Sequence, residues 1–441
     1  MAARAVDRPV KVATTRSQMF AFTGYRTPTF QRLRLAAERS GRLTAVSHDV
    51  VEQTSTVSEF AEQTAVATRM MYAAPNRRTT HRLAALDVAT PSWMRAPGEC
   101  PGMFALESAM DELASACGVD PVELRILNDP DVDPETGHPF SSRNLVACLR
   151  EGAERFGWDQ RDPAPAARRD GSWLVGTGVA ASTYPARRRP SQALARREAG
   201  GRYVVRIAAA DIGTGARTVL TQIAADALGS RLENVRVELG DSDFPAAPVA
   251  GGSMGTASWG SAVAKACEAL REDPDRIEAR ADTTADVEAD EELARHAYGA
   301  QFVELRVHRV TGEIRVARVL GVFAAGRIVN PKTARSQLIG GMTMGLGMAL
   351  MEESILDRRF GDYLNSDLAA YHVPTYADVT EVEALWIDEQ DEHLNPMGSK
   401  GIGEIGIVGT AAAVANAAHH ATGRRFRQLP LRVDRVLDAL S

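Results

Sequence analysis

Four glycine-rich stretches each run straight into a helical pattern, and they limit the folds open to this chain. They are MRAPGECPG (94–102), DIGTGARTV (211–219), PVAGGSMGTASWGSAV (248–263) and KGIGEIGIVGTAAAVANA (400–417). Glycine lets backbone approach a ligand closely, and a helix N-terminus offers free N–H groups and a positive dipole end to an anion. Any one such loop is as readily a packing device. Four in one chain, one with a hydroxyl cluster (Ser253, Thr256, Ser258) and one with an arginine (Arg95), point to a phosphate-bearing cofactor. None matches GxxxxGK[ST]. DIGTGART lacks the third glycine and the downstream acid of a dinucleotide fingerprint.

Around these loops the pattern is mixed. RPVKVATTR (8–16) alternates like a strand, and RLRLAAERSGRLTAVSHDVV (32–51) like a hairpin turning at Ser40-Gly41. CPGMFALESAMDELASACGV and NLVACLREGAERFGW have helical spacing, the first closed by Gly118. DQRDPAPAARRDGS reads as a linker. It suggests a first unit over 1–160, a linker over 161–172 and a second unit over 173–441. In the second unit GVAASTYP, RYVVRIAAADIG and NVRVELGD read as strands, and ARTVLTQIAADALG and SAVAKACEALRE as helices. The polar run 271–296 reads as a surface excursion or a partly disordered stretch. QFVELRVHRVTGEIRVARVLGVFAAG reads as two strands about Thr311-Gly312. Strands and helices do not alternate regularly, so the expected class is α+β.

Composition removes several classes of function. A net charge of −6 gives no footing on nucleic acid or an anionic membrane. No apolar run reaches the ~18 residues of a membrane span, and residues 1–16 hold no signal-peptide core. Cys100, Cys117, Cys148 and Cys267 stand far apart, without the spacing of a zinc or iron–sulfur site. Reduced, buried thiols suit a cytoplasmic protein.

The remaining puzzle is Glu404, one carboxylate in a corridor of glycine and isoleucine, with Lys400 the nearest cation in sequence. A carboxylate in apolar surroundings holds its proton more tightly than in water, which suits a base working near neutral pH. Read alone, Glu404 is equally a loop acid or a helix cap.

MRAPGE, DIGTGA, AGGSMGTASWGSA, GRIVNPKTARSQLIGGMTMGLGMALMEES and GSKGIGEIG stand here in that order. Together they resemble the molybdenum-binding large subunit of the xanthine dehydrogenase and aldehyde oxidoreductase family. MRAPGE and GIGEIG lean toward the bacterial three-subunit aldehyde oxidoreductase branch. The resemblance covers nearly the whole chain from Arg8. It implies a two-lobed molybdenum-cofactor-binding fold. Its cofactor would be molybdenum–molybdopterin, in plain form or as the cytosine dinucleotide, held through the pterin and not by side chains. Iron–sulfur clusters and FAD would sit on partner subunits.

The same resemblance assigns roles. Glu404 would be the general base, taking a proton from the hydroxide on the metal as the substrate carbon is attacked. Arg95 would lie near pterin and metal. Gly213, Thr214 and Gly215, and Gly251, Gly252, Ser253 and Gly255 with Thr256, would be two loops on the cofactor's phosphate side. Family members often carry glutamine where Thr214 stands. Gln337 would hydrogen-bond the pterin. Its alternative is to cap a core helix, and Arg95's is a plain surface position. Arg143 is a weaker inward candidate.

The resemblance also implies a region before RPVKVATTR that is absent here, so the first lobe is expected to be incomplete. Either a separate chain supplies it, or the chain is a truncated, inactive member acting as a binding or scaffold protein. An unrelated phosphate-binding enzyme is the third possibility. The leading expectation is a cytoplasmic subunit, or a periplasmic one exported on a partner's signal. It would oxidise aldehydes or N-heterocycles with water and pass electrons to iron–sulfur and flavin subunits.

Overall fold

The computed structural model describes residues 1–289 and 292–441. Strands β1 (Thr29–Ala37) and β2 (Leu43–Ser55) form the expected hairpin, with Gly41 at φ 91° in its turn. Strand β3 (Asn76–Leu86) adds to β2 in parallel. Helix α1 (Glu99–Cys117) ends on left-handed Gly118, and helix α2 (Leu145–Phe156) on left-handed Gly157. The strand expected over residues 8–16 does not form. Val10 and Val12 are exposed, and Arg16 opens a short helix, Arg16–Phe22, capped reciprocally by Thr15 and Gln18. Alternation alone does not make a strand where no partner strand and no core lie beside it.

The second half supplies two sheets. Strand β4 (Trp173–Pro185) is followed by β5 (Gln192–Glu198), β6 (Arg202–Ile207), helix α3 (Ala216–Leu228) and β7 (Val235–Leu239). Then come helix α4 (Gly255–Glu272), β8 (Glu278–Asp282), β9 (His296–His308) and β10 (Ile314–Ala324). The chain closes with helix α5 (Pro331–Leu350), β11 (Val382–Trp386), the short helix α6 (Ile405–Val408) and helix α7 (Thr410–Thr422). Strands β11-β10-β9-β4 form one sheet, extended at its edge by residues 169–170. Strands β4 and β9 pair antiparallel over their full length, from Trp173↔His308 to Pro185↔His296. Strands β7-β6-β5-β8 form another sheet, covered by α3 and α4, with a hydrophobic core of its own. The polar run 271–296 is therefore not a plain surface excursion. It contains β8, which pairs with β5, and a helical turn at Thr284–Glu288. The inward residues of β8 are the small Ala279 and Ala281, which carry little strand signal. Residues 290–291 of that run lie outside the described residues.

The larger core runs across residues 161–172: α1 and α2 share it with β4, β9, β10 and α7. The alanine run of α7 has a steric reason. A Cβ on Gly178 would come within 2.3 Å of Ala413 O and Ala417 N. Strand and helix backbones therefore touch, with room only for glycine facing alanine. Among the described residues no helix is long and apolar enough to cross a membrane.

One buried carboxylate ties these layers together. Glu107 of α1 accepts from Arg125 Nε at 2.6 Å, Tyr72 OH at 2.6 Å and Ala181 N of β4 at 2.6 Å. Glu107 and Arg125 are both fully buried. Asn416 of α7 donates to the backbone carbonyls of Glu107 and Val179. Replacing Arg125 alone strands a buried charge, so Arg125→Met is expected to destabilise the chain by about 3–5 kcal/mol in a urea titration. The double replacement Glu107→Leu with Arg125→Met should recover much of that loss. A single variant as stable as the wild type would mean the pair is not holding the layers.

Candidate functional site

The four glycine-rich stretches converge. A cavity of about 490 Å³ is lined by Arg95, by residues 212–214 and 250–256, by the segment 327–337 in part, and by residues 399–404. Gly213, Thr214, Gly251, Gly252, Ser253, Gly255, Thr256, Gln337, Arg95 and Glu404 all face it. Gly215 lies just behind, where a Cβ would come 2.9 Å from Thr333 Cγ2. Four helices (α3, α4, α5 and α6) begin at its wall, so their positive dipole ends surround one space.

Glu404 is half-buried and precedes α6, but its side chain does not cap that helix. Its Oε2 accepts the Ser253 hydroxyl at 2.7 Å and its Oε1 faces the Ala96 N–H at 3.4 Å. Tyr184, buried at the end of β4, lies against the same carboxylate. Burial, then Glu404 and Glu99, push its phenol well above the usual range. The Ser253 and Ala96 donors are both non-glycine residues in the left-handed region, at φ 52° and φ 55°. Among the described residues, Glu404 is the one carboxylate in the cavity wall.

Arg95 is half-buried and not a plain surface residue. Its Nε donates to Gly403 O at 2.6 Å and its Nη2 to Gln337 O at 2.8 Å, stitching the MRAPGE loop to α5 and to the loop before Glu404. Burial lowers its pKa, opposed by the attraction of Glu404. Gln337 sits within α5, far from its cap, which is Asn330. Lys400 does not serve Glu404. Its ammonium turns into a buried pocket, 2.5 Å from Ser142 Oγ, 3.2 Å from Glu389 and 3.6 Å from Asp391. That buried cluster anchors the loop instead. Arg143 is also structural, paired with Asp129 and stacked between Phe140 and Tyr298.

The first glycine loop folds around its own anion. Asp211 accepts from the amides of Gly213 at 2.9 Å, Gly215 at 3.3 Å and Arg217 at 3.3 Å. Burial works to raise its carboxyl, but these amides and that of Thr214 outweigh it and hold the pKa below the usual range. This loop therefore presents its side-chain edge to the cavity more than its amides. The second loop keeps the opening amides of α4 free of helix partners. Sequence reasoning missed Tyr184 and the support under the MRAPGE loop. Tyr184 is a single aromatic at a strand end, and nothing in its spacing marks it.

The cavity suits an anionic organic group with flat apolar parts. Its polar end offers helix starts, Ser253 and Thr256, and its walls carry Ile212, Val219, Leu220 and Trp259. Among the described residues no His, Cys, Asp or Glu grouping has the geometry of a metal site.

Comparison with known proteins agrees with this geometry. Residues 1–129 match the model of one molybdopterin cofactor-binding domain, and residues 151–295 and 282–380 match a second. The chain is 44% identical over 474 aligned residues to the aldehyde oxidoreductase molybdenum-binding subunit PaoC of Escherichia coli (strain K12), covering 100% of this chain and 64% of PaoC. It is 30% identical over 490 residues to the putative xanthine dehydrogenase molybdenum-binding subunit XdhA of the same organism, covering 98% of this chain and 64% of XdhA. The aldehyde oxidoreductase from Desulfovibrio gigas superimposes with a TM-score of 0.88 at 26% identity, over 100% of this chain and 52% of that one. Quinoline 2-oxidoreductase from Pseudomonas putida 86 shares the fold at a TM-score of 0.89 and 20% identity, over 100% of this chain and 65% of that one. The mixed helix-and-sheet architecture is thus that of the molybdenum-cofactor-binding fold. The chain spans 64% of the length of each of the two curated relatives.

Glu99, at the start of α1, is a second carboxyl beside Glu404. Burial pushes it up to about 8. Its own amide and Arg187 oppose the shift, and Glu404 and Glu62 add to it. The unfolded chain releases this proton near pH ~4.3, so the native chain binds more protons between there and about pH 8. Stability from this group accordingly falls as pH rises through that window. The thermal midpoint of the wild type should drop from pH ~5 to ~8 more steeply than that of Glu99→Gln. Parallel curves would show that Glu99 is not held protonated.

Proposed function

Because the chain belongs to the molybdopterin cofactor-binding family of the aldehyde oxidoreductase and xanthine dehydrogenase type, we propose that it forms the molybdenum-cofactor site of a hydroxylase. Its reaction is the oxidation of aldehydes to acids with oxygen from water. The observation that carries the reading is Glu404, one carboxylate on the wall of a cavity ringed by helix starts and held by two donors. Aldehydes are preferred to N-heterocycles because identity to the aldehyde oxidoreductase subunit is 44%, against 30% for the xanthine dehydrogenase one.

When bound, the molybdenum–pterin group supplies a two-electron sink and the route by which oxygen from water reaches the substrate carbon. The phosphate side of the group would meet Gly251, Gly252, Ser253, Gly255 and Thr256, where α4 begins. Gly213, Thr214 and Gly215 would shape the adjoining wall, and Gln337 would face the pterin from α5. Arg95 would carry positive charge beside it. Its two bonds to backbone carbonyls fix the guanidinium, so little freedom is lost when a ligand enters.

Glu404 accepts the proton that water loses. The Ser253 hydroxyl and the Ala96 N–H both donate to it and fix where its two oxygens point. Glu99 remains protonated nearby and adds no second negative charge. Tyr184 lies against the carboxylate with a phenol that does not ionise at neutral pH. The four cysteines are unpaired and separate, so electrons would leave through an iron–sulfur subunit and then an FAD subunit. Unpaired thiols also suit a cytoplasmic assembly.

The test is metal and pterin analysis of the chain purified alone and after co-expression with its neighbouring reading frames. Molybdenum and pterin should appear in the assembled preparation, with aldehyde oxidation. Their absence from both preparations would overturn the reading. In the assembly, Glu404→Gln should lower turnover by about 10²–10⁴-fold while leaving molybdenum content unchanged. Near-normal turnover would remove Glu404 as the base.

A further inference from the structure

The loop from Arg95 to Gly98 is held in a shape that its own residues disfavour. Ala96 stands at φ 55° and Gly98 at φ 88°, with Pro97 between them. An alanine in the left-handed region is strained and persists only when its surroundings enforce it. The enforcing groups lie some seventy residues earlier in the chain, at Arg26, and at Glu62. Arg26 Nη2 donates to the Arg95 carbonyl, and Nη1 reaches the Ala96 carbonyl at 3.5 Å and Glu62 Oε1 at 2.5 Å. The same Glu62 oxygen accepts the Gly98 N–H at 3.0 Å. One guanidinium and one carboxylate thus hold two carbonyls and one amide of a four-residue loop.

The pair is itself anchored. The Glu62 N–H donates to Glu52 Oε2 at 3.1 Å, and Glu52 belongs to β2. The Glu62 side chain is fully buried, and that of Arg26 is 14% exposed. A Cβ on Gly98 would come 2.5 Å from Gln63 O, so the backbone beside Glu62 lies directly under the loop. On its other side the loop gives the Ala96 N–H to Glu404, and the Arg95 side chain to Gly403 O and Gln337 O. The pair therefore acts on both groups placed at the cavity, while neither of its members lines that cavity.

We propose that Arg26 and Glu62 are positioning residues, a clamp that sets the Arg95–Gly98 loop so that Ala96 N–H and Arg95 meet Glu404 and its loop in working register. The proposal rests on the reading of Glu404 as the base. An arginine is required, since only its planar fork reaches the carboxylate and two carbonyls together. Displacement of a catalytic group by about 1 Å costs up to 10²-fold in rate.

Two variants of the full chain, Arg26→Lys and Glu62→Gln, test it by two readouts. The first is hydrogen–deuterium exchange over residues 93–103, which needs no activity. Exchange at Ala96 and Gly98 should quicken by tenfold or more, while β4 and β9 stay protected as in the wild type. The second is kinetics of the co-expressed, molybdenum-loaded assembly. There kcat should fall by about tenfold or more, with KM and molybdenum content within twofold of the wild type. Unchanged exchange in the loop overturns the clamp whatever the activity. Faster exchange with wild-type kcat overturns the positioning role. If Glu62→Gln loses protection throughout the chain, Arg26→Lys, which keeps the charge, decides. A wild-type assembly that does not oxidise aldehydes defeats the proposed function, and the exchange result then decides the clamp by itself.

Discussion

The Glu107 carboxylate is the point through which the site is assembled. It is fully buried, and it joins three elements that lead to Glu404 and its neighbours. Helix α1 carries Glu107 and, at its start, Glu99 and the loop that supplies Ala96. Strand β4 donates the Ala181 amide to Glu107 and carries Tyr184 three residues on. Helix α7 binds the Glu107 carbonyl through Asn416 and follows the short helix that Glu404 precedes. A buried charge is costly unless its oxygens are hydrogen-bonded, and here Arg125 and Ala181 donate to one oxygen and Tyr72 to the other. The need to satisfy this one group fixes the helix–strand–helix register to within a hydrogen bond's tolerance.

That register explains which parts of the site could be read from sequence. Each glycine loop is local: a strand end, a tight turn and a helix start fall within about ten residues, and the residue types announce the geometry. Glu404 stood out because its neighbours in the chain are apolar. Its actual partners lie 151 and 308 residues away, at Ser253 and Ala96. No periodicity encodes such pairings. The same distance problem hid Tyr184 and the Arg26–Glu62 clamp. It also made Lys400 look like a partner for Glu404, although its ammonium satisfies Glu389, Asp391 and Ser142.

The fold-level misreadings have related causes. Residues 8–15 alternate well but meet no sheet, so the pattern has nothing to bury. Strand β8 was hidden by the opposite problem. It is only five residues long, its exposed positions are charged and its buried ones are alanines, yet it completes a sheet edge against β5. In both places the deciding quantity was the neighbouring strand, which local sequence does not describe. The alanine run of α7 behaved differently. There the residue type carried the packing distance directly, because alanine facing Gly176 and Gly178 permits backbone contact between helix and strand.

The two left-handed non-glycine residues at Glu404 show function set against stability at single positions. At residue 253 a glycine would relieve about 1 kcal/mol of strain, and glycine already stands on its N-terminal side at 252. Glycine would also remove the hydroxyl that donates to Glu404 at 2.7 Å. At residue 96 the side chain donates nothing, and the strained backbone alone turns the N–H toward Oε1. The first strain is tolerated for a side-chain donor, the second for a backbone donor. Local sequence and global fold disagree at both, and the disagreement falls on the two groups that touch the carboxylate. That is where a chain shaped by chemistry as well as by folding is expected to break its own local rules.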